Sequence, residues 1–174
     1  MSDLDMAADF LGEGRVADLF PDFGAYLTFR EAIKSATAIR KGITNVPTSE
    51  HYGNMVRTYH NVIVPLFDRF GKLPITSFYR SPALNKAIGG SKTSAHMLGQ
   101  AVDIDCDGLK TISNNTVFAY VRADLDFDQL ILENPDSRGN AAWVHIGYRS
   151  KEANRRQVLK MIWRNGKQIY EVMQ

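Results

Sequence analysis

His96 and Asp103 stand with six residues between them in SAHMLGQAVDID, and a third candidate, His145, follows far along the chain in WVHIGY. Neutral imidazole nitrogens and a carboxylate oxygen suit zinc, and three protein ligands with one open position are the pattern of a catalytic rather than a structural site. Zinc in such a site supplies Lewis acidity toward a carbonyl oxygen and makes a water nucleophile available near neutral pH. Both effects favour hydrolysis of an amide or ester. The chemistry also needs a carboxylate that moves a proton and a donor that orients the substrate. Arg80, at the end of SFYR, is the candidate for orientation, because a guanidinium grips a carboxylate or carbonyl through two parallel hydrogen bonds. His51 and His60 lie on a helical stretch at a spacing that does not align them, and no role is assigned to them.

These side chains have to be positioned by elements that the hydrophobic pattern marks out. Thr28 and Glu31 have the spacing of a capping box, and Phe29, Ala32, Ile33, Ala36 and Ile39 follow at helical period until Gly42, which predicts one helix of three to four turns. A longer apolar stripe runs from Tyr52 to Phe70 with Pro65 inside it, so a kink or break is expected near Asn61. Residues 73–78 read as a strand, 82–88 as a short helix opened by proline, and 89–93 as a loop. Residues 101–106 alternate in the strand manner, with Ala101, Asp103 and Asp105 on one face. A helix over 113–123, strands over 128–133 and 143–148, and a helix over 151–163 complete the pattern. Asn165-Gly166 is a turn signal, and an edge strand is expected after it. Helices before and between antiparallel-looking strands argue for an α+β fold.

The 174 residues, 44% hydrophobic and 23% charged, suit a single well-buried domain over residues 28–174, preceded by an arm over residues 1–27. A net charge of +2 is far from the clustered basic footprint of a nucleic-acid binder, so no nucleic-acid partner is expected. Cys106 is the only cysteine, which excludes an intrachain disulfide and a thiolate zinc cluster. The N-terminal stretch is acidic where a signal peptide needs positive charge, and no apolar run has the length of a membrane span. Synthesis in the host cytoplasm without an export signal of its own is the expectation, with delivery to any outer substrate by other means.

SFYRS, the loop GGSKTSAH, the run SAHMLGQAVDID and WVHIGY together resemble the zinc-dependent peptidoglycan peptidases that include D-alanyl-D-alanine carboxypeptidases and phage L-alanyl-D-glutamate endolysins. The pattern S-x-H-x-x-G-x-A-x-D is met by Ser94, His96, Gly99, Ala101 and Asp103. SATAIRKGITNVP and the helix before SFYRS are similar to the lead-in of the phage-associated branch, so the resemblance covers about residues 28–163. It implies an α+β fold of the hedgehog and D-Ala-D-Ala peptidase kind, with a small antiparallel sheet carrying the metal in an open cleft flanked by helices. It implies His96, Asp103 and His145 as zinc ligands and Arg80 as the substrate or oxyanion contact. The implied target is the stem peptide of the bacterial cell wall, reached on lysis or from a virion whose proteins would be partners. The alternative is a virion or wall-binding component that keeps the fold with little activity.

One position departs from the family pattern. Many relatives carry the catalytic Glu or Asp three residues before the last histidine, where this chain has Ala142, and a methyl group cannot move a proton. Glu133, at the end of FDQLILE, is the expected substitute, reaching the cleft if 130–133 pairs with 143–146. Asp136 is a weaker substitute, and Asp105 suits support of a ligand better than attack chemistry. Trp143 and Tyr148 are candidates for the cleft wall.

Overall fold

The structure, a computed structural model, describes residues 19–174. Most of the expected N-terminal arm, residues 1–18, lies outside the described residues. The rest of that stretch is packed: Phe23 and Leu27 are buried in the main core, and Phe20 stacks on Tyr52 with ring centroids 4.4 Å apart.

The capping box forms as read, with Thr28 and Glu31 each satisfying the other's backbone, but the helix it opens, α1 (Phe29–Ala32), is a single turn. Ser35 then caps a second helix, α2 (Ala36–Lys41), which ends on Gly42 at φ 62. One continuous helix over this stretch is therefore corrected to two. The Ser35 hydroxyl accepts from the Ala38 amide, and a local acceptor of this kind starts a new helix more readily than it continues an old one.

The long stripe is helical throughout, as α3 (Ser49–Thr58), a π-helical segment (Tyr59–Ile63) and α4 (Val64–Phe70). Pro65 has no amide for the Asn61 carbonyl, and the wider turn before it takes up the mismatch without breaking the rod. Tyr59, Val62, Ile63 and Leu66 stay buried along it.

Six strands follow in the spatial order β1-β2-β4-β3-β5-β6: β1 (Ile75–Ser77), β2 (Ala101–Ile104), β3 (Gln129–Glu133), β4 (Trp143–Gly147), β5 (Gln157–Arg164) and β6 (Lys167–Val172). Between them lie α5 (Pro82–Ala87), a 3₁₀ turn (Ala95–Leu98) and α6 (Asn114–Asp124). The fold is α+β with flanking helices. The sheet is mixed rather than antiparallel throughout, because β5 pairs parallel to β3.

That strand replaces the helix expected over 151–163. Val158, Ile162 and the basic residues between them fit a helical period, but the Arg155 backbone and guanidinium bind the Asp128 carboxylate, and Gln157 donates its amide to the Asp128 carbonyl. These bonds dock the chain against β3. Beyond β5, Asn165 and Gly166 both have positive φ and join Arg164 to Lys167 in a two-residue hairpin, with β6 on the sheet edge.

The sheet has two unlike faces. Val102, Ile104, Leu130, Leu132, Val144 and Ile146 point into the main core. Ala101, Asp103, Ile131, Glu133, Trp143, His145, Leu159 and Met161 occupy the alternate positions, which form the floor of the site.

Candidate metal centre

Asp103 on β2 lies directly opposite His145 on β4, and Ile131 on β3 is the next residue in that row. His96 reaches the row from the 3₁₀ turn above the sheet. That turn is held close to α3 by Gly99: its φ is 70, and a Cβ there would lie 2.5 Å from both the His51 carbonyl oxygen and Met55 Cγ. The motif glycine therefore serves the placement of His96, since only a residue without a side chain permits this approach. The Gly99 carbonyl also accepts from the Thr58 hydroxyl at 3.1 Å.

The three candidate ligand atoms converge. His145 Nδ1 is 2.9 Å from Asp103 Oδ1, His96 Nε2 is 3.1 Å from the same oxygen, and the two nitrogens are 3.2 Å apart. His96 Nδ1 donates to the Phe78 carbonyl at 2.7 Å, which turns the Nε2 lone pair toward the other two atoms. Burial pushes the His96 pKa down, against the pull of the Asp103 charge. Burial would favour a neutral Asp103 as well, but His96 and His145 outweigh it and hold its carboxyl well below the usual carboxylate range.

An anionic oxygen and an imidazole lone pair thus face the His145 nitrogen, a donor set built for a cation. Three atoms bound about 2.0–2.2 Å from one tetrahedral ion stand roughly 3.3–3.6 Å apart, so a small outward adjustment fits them to zinc. Among the described residues this is the one group of three His, Cys, Asp or Glu side chains close enough to share a metal.

Arg80 donates from Nη2 to Asp103 Oδ2 at 2.6 Å and from Nε to Ser77 at 2.7 Å. It occupies the outer carboxylate oxygen and leaves Oδ1 to the histidines. The guanidinium thus orients a candidate ligand, a contact that the reading of Arg80 as a substrate group did not include. Asn45, which the sequence reading passed over, sets this arginine in place. Its buried amide donates to the Tyr79 carbonyl and accepts from the Ser81 amide at 2.6 Å, pinning the residues on either side of Arg80. A third bond, to the Ile33 carbonyl, ties the same amide to the end of α1. Its one signal in sequence is its place in ITNVP, within the lead-in stretch.

Glu133 is opposite Trp143 across β3 and β4, and its side chain lines the cleft with His96, Asp103 and His145. It is only 6% exposed, and its Oε2 has no hydrogen-bond partner. Burial pushes its pKa up to about 7, with the Asp103 charge adding to the rise and His145 and Arg80 opposing it. Ala142, at the usual position of the base, gives its amide to the Glu133 carbonyl.

Other candidates are placed elsewhere. Asp136 accepts from the Arg138 and Asn140 amides and forms its own loop. Asp105 accepts from the Asp107 amide at 3.0 Å and the Asn114 side chain, not from a ligand residue. Trp143 does line the cleft, but Tyr148 is corrected from a wall to a core residue, 6% exposed and packed among the apolar side chains of the main cluster. The same cleft is also lined by Arg155, held on Asp128 just before β3, and by Leu159, Gln168 and Tyr170 of the β5–β6 hairpin.

No curated protein matches the chain. The model of the family described as Peptidase M15 matches residues 25–146, well over half of the chain. The match encloses Arg80, His96, Asp103, Glu133 and His145 and stops short of β5. Peptidases of this family are zinc-dependent, in keeping with the donor set described above. With the α+β fold, the convergent His-Asp-His group and this match in agreement, the chain belongs to the Peptidase M15 family.

Proposed function

We propose that the protein is a zinc peptidase that cuts a peptide bond involving a D-amino acid in bacterial peptidoglycan, with His96, Asp103 and His145 holding the metal. Zinc bound there supplies Lewis acidity and water activation. Glu133 takes a proton from the attacking water and returns it to the departing amine, a task suited to a carboxyl whose pKa lies near neutrality. Arg80 holds Asp103 in its ligating orientation and turns its remaining N–H groups toward the substrate. The D-amino acid and the wall peptide follow from the resemblance of SAHMLGQAVDID and SFYRS to the wall peptidases. The likeness of SATAIRKGITNVP and the helix before SFYRS to its lead-in favours the phage-associated branch, acting at the wall after lysis or from a virion.

The single observation that carries the reading is the buried, unpartnered Glu133 oxygen in the same cleft as the three convergent donors. A buried acceptor without a partner is costly in a fold that does not use it. It also weighs against the alternative of a virion or wall-binding component with little activity, which Ala142 and the N-terminal arm favour. Purified protein with zinc should release new amino groups from peptidoglycan, and Glu133→Gln should slow the release by about 10²- to 10⁴-fold while retaining the metal. Equal release by both proteins would remove Glu133 from the mechanism, and none from the zinc-loaded wild type would remove the function. No helix among the described residues is long and apolar enough to cross a membrane.

A further inference from the structure

Resting on the peptidase reading, we propose that the enzyme is an endopeptidase whose substrate continues past the metal centre on both sides. Two grooves meet at the centre. One, of about 720 Å³, is lined by His96, His145 and Glu133 together with Gln168 and Tyr170 of the β5–β6 hairpin. The other, of about 800 Å³, runs along the outer side of β1, between Ile75, Thr76 and Ser77 and the α1–α2 connection at Lys34 and Ser35. Arg80, Ile88, Asp103 and Trp143 line both. Asp103 therefore stands at a junction and not at the blind end of a pocket.

The first wall of this junction is suited to a peptide. β1 is an edge strand of the sheet, and an extended chain is bound at such an edge through main-chain hydrogen bonds. The second wall presents Tyr170, whose hydroxyl has only a marginal contact to Gln168 at 3.5 Å and so is open to a ligand.

The charges point the same way. An enzyme that removes one terminal residue has to hold a free carboxylate close to its metal, and a cation is the usual means. Of the cations that line the two grooves, Arg80 is bound to Asp103 and serves the scissile carbonyl, Arg155 is bound bidentately to Asp128, and Lys72 is paired with Glu31. Lys34, without an ion pair among the described residues, is exposed at the outer part of the β1 groove. In the step itself the water oxygen bonds the carbonyl carbon and the C–N bond breaks; one water proton passes through Glu133 to the amine, and the second leaves the new carboxyl group for the amine or solvent. The products are one new carboxylate and one new amino terminus within the wall peptide.

The test compares zinc-loaded enzyme on three synthetic stem peptides with the same D-residue bond: one with at least two residues on each side, one with a single residue after the bond and a free carboxylate, and the amide of the latter. The expected kcat/KM for the long peptide exceeds that for the short acid by tenfold or more, and amidation leaves the short peptide no worse. Faster release of the single residue from the free acid, lost on amidation, would overturn the proposal while leaving the peptidase reading intact. Cleavage of none would remove both. Binding gives an independent readout: with ¹⁵N-labelled Glu133→Gln, the long peptide should shift the amide signals of both Thr76 and Gln168. Shifts confined to one of the two grooves would contradict the proposal.

Discussion

Glu133 and His145 lie one pleat step apart on the same face of the sheet, because Ile131 is directly opposite His145 and Glu133 directly opposite Trp143. This diagonal brings a proton-transfer group to the candidate metal centre from β3, although the position three residues before His145 holds Ala142. The β3–β4 register thus relocates the base without moving the ligands. A one-residue slip of β3 would turn Glu133 into the main core.

Glu133 carries a pH signature in the metal-free protein. Its folded pKa is about 7 against an ordinary 4.5, so between these values the folded state binds more protons than the unfolded one, and this group's contribution to stability falls as pH rises. Glu133→Gln should be near neutral at pH 4 and stabilising at pH 8, by at most about 3 kcal/mol. Denaturant unfolding of both proteins at the two pH values checks this. A variant less stable than wild type at pH 8 and not at pH 4 would contradict it.

In the loaded enzyme the same group shapes activity. A cation beside Glu133 pulls its pKa down from about 7, so kcat/KM should rise with pH along an acid limb lying below that value. Glu133→Gln should lose about 10²- to 10⁴-fold in kcat with zinc affinity unchanged. A wild-type profile that falls as pH rises from 5 to 7 would be the wrong sign.

Arg80→Lys keeps the charge but loses the planar fork that reaches Asp103 and Ser77 together. Zinc affinity should drop roughly 10- to 100-fold, as for other partners that orient a ligand. Isothermal titration with zinc measures it, and unchanged affinity would remove Arg80 from the support of Asp103.

The fold was legible where a local signal had no competitor. Asn165-Gly166 defined the last hairpin, and the alternation of Ala101, Val102, Asp103 and Ile104 placed Asp103 on the polar face. It was illegible where long-range bonds overrode the local period: Asp128 draws Arg155 and Gln157 into a parallel strand that a helical pattern concealed. The convergence of His96, Asp103 and His145 was readable from motif residues, and Glu133 from the pairing that their loop allowed. Asn45 was not, because a side chain that bonds only backbone groups of distant residues leaves no periodic trace. Tyr170 was hidden by the misread strand before it.

Asn45→Ala removes three hydrogen bonds, two of them buried, and strands their partners, which should cost about 2–4 kcal/mol. For a chain of this size that is a fall in Tm of roughly 5–15 °C. Zinc affinity should fall as well, because Arg80 loses the anchors on both sides of it. A stability loss with unchanged zinc binding would make Asn45 a purely structural residue.

One cation held by His96, Asp103 and His145 is the core of the proposed chemistry, and X-ray absorption at the zinc edge of the loaded protein reads its ligands. One zinc per chain is expected, with two imidazoles and light oxygen ligands at about 2.0–2.2 Å, and that site should be lost in His96→Ala, Asp103→Ala and His145→Ala alike. A spectrum without imidazole scattering, or a site that survives these three substitutions, would contradict it.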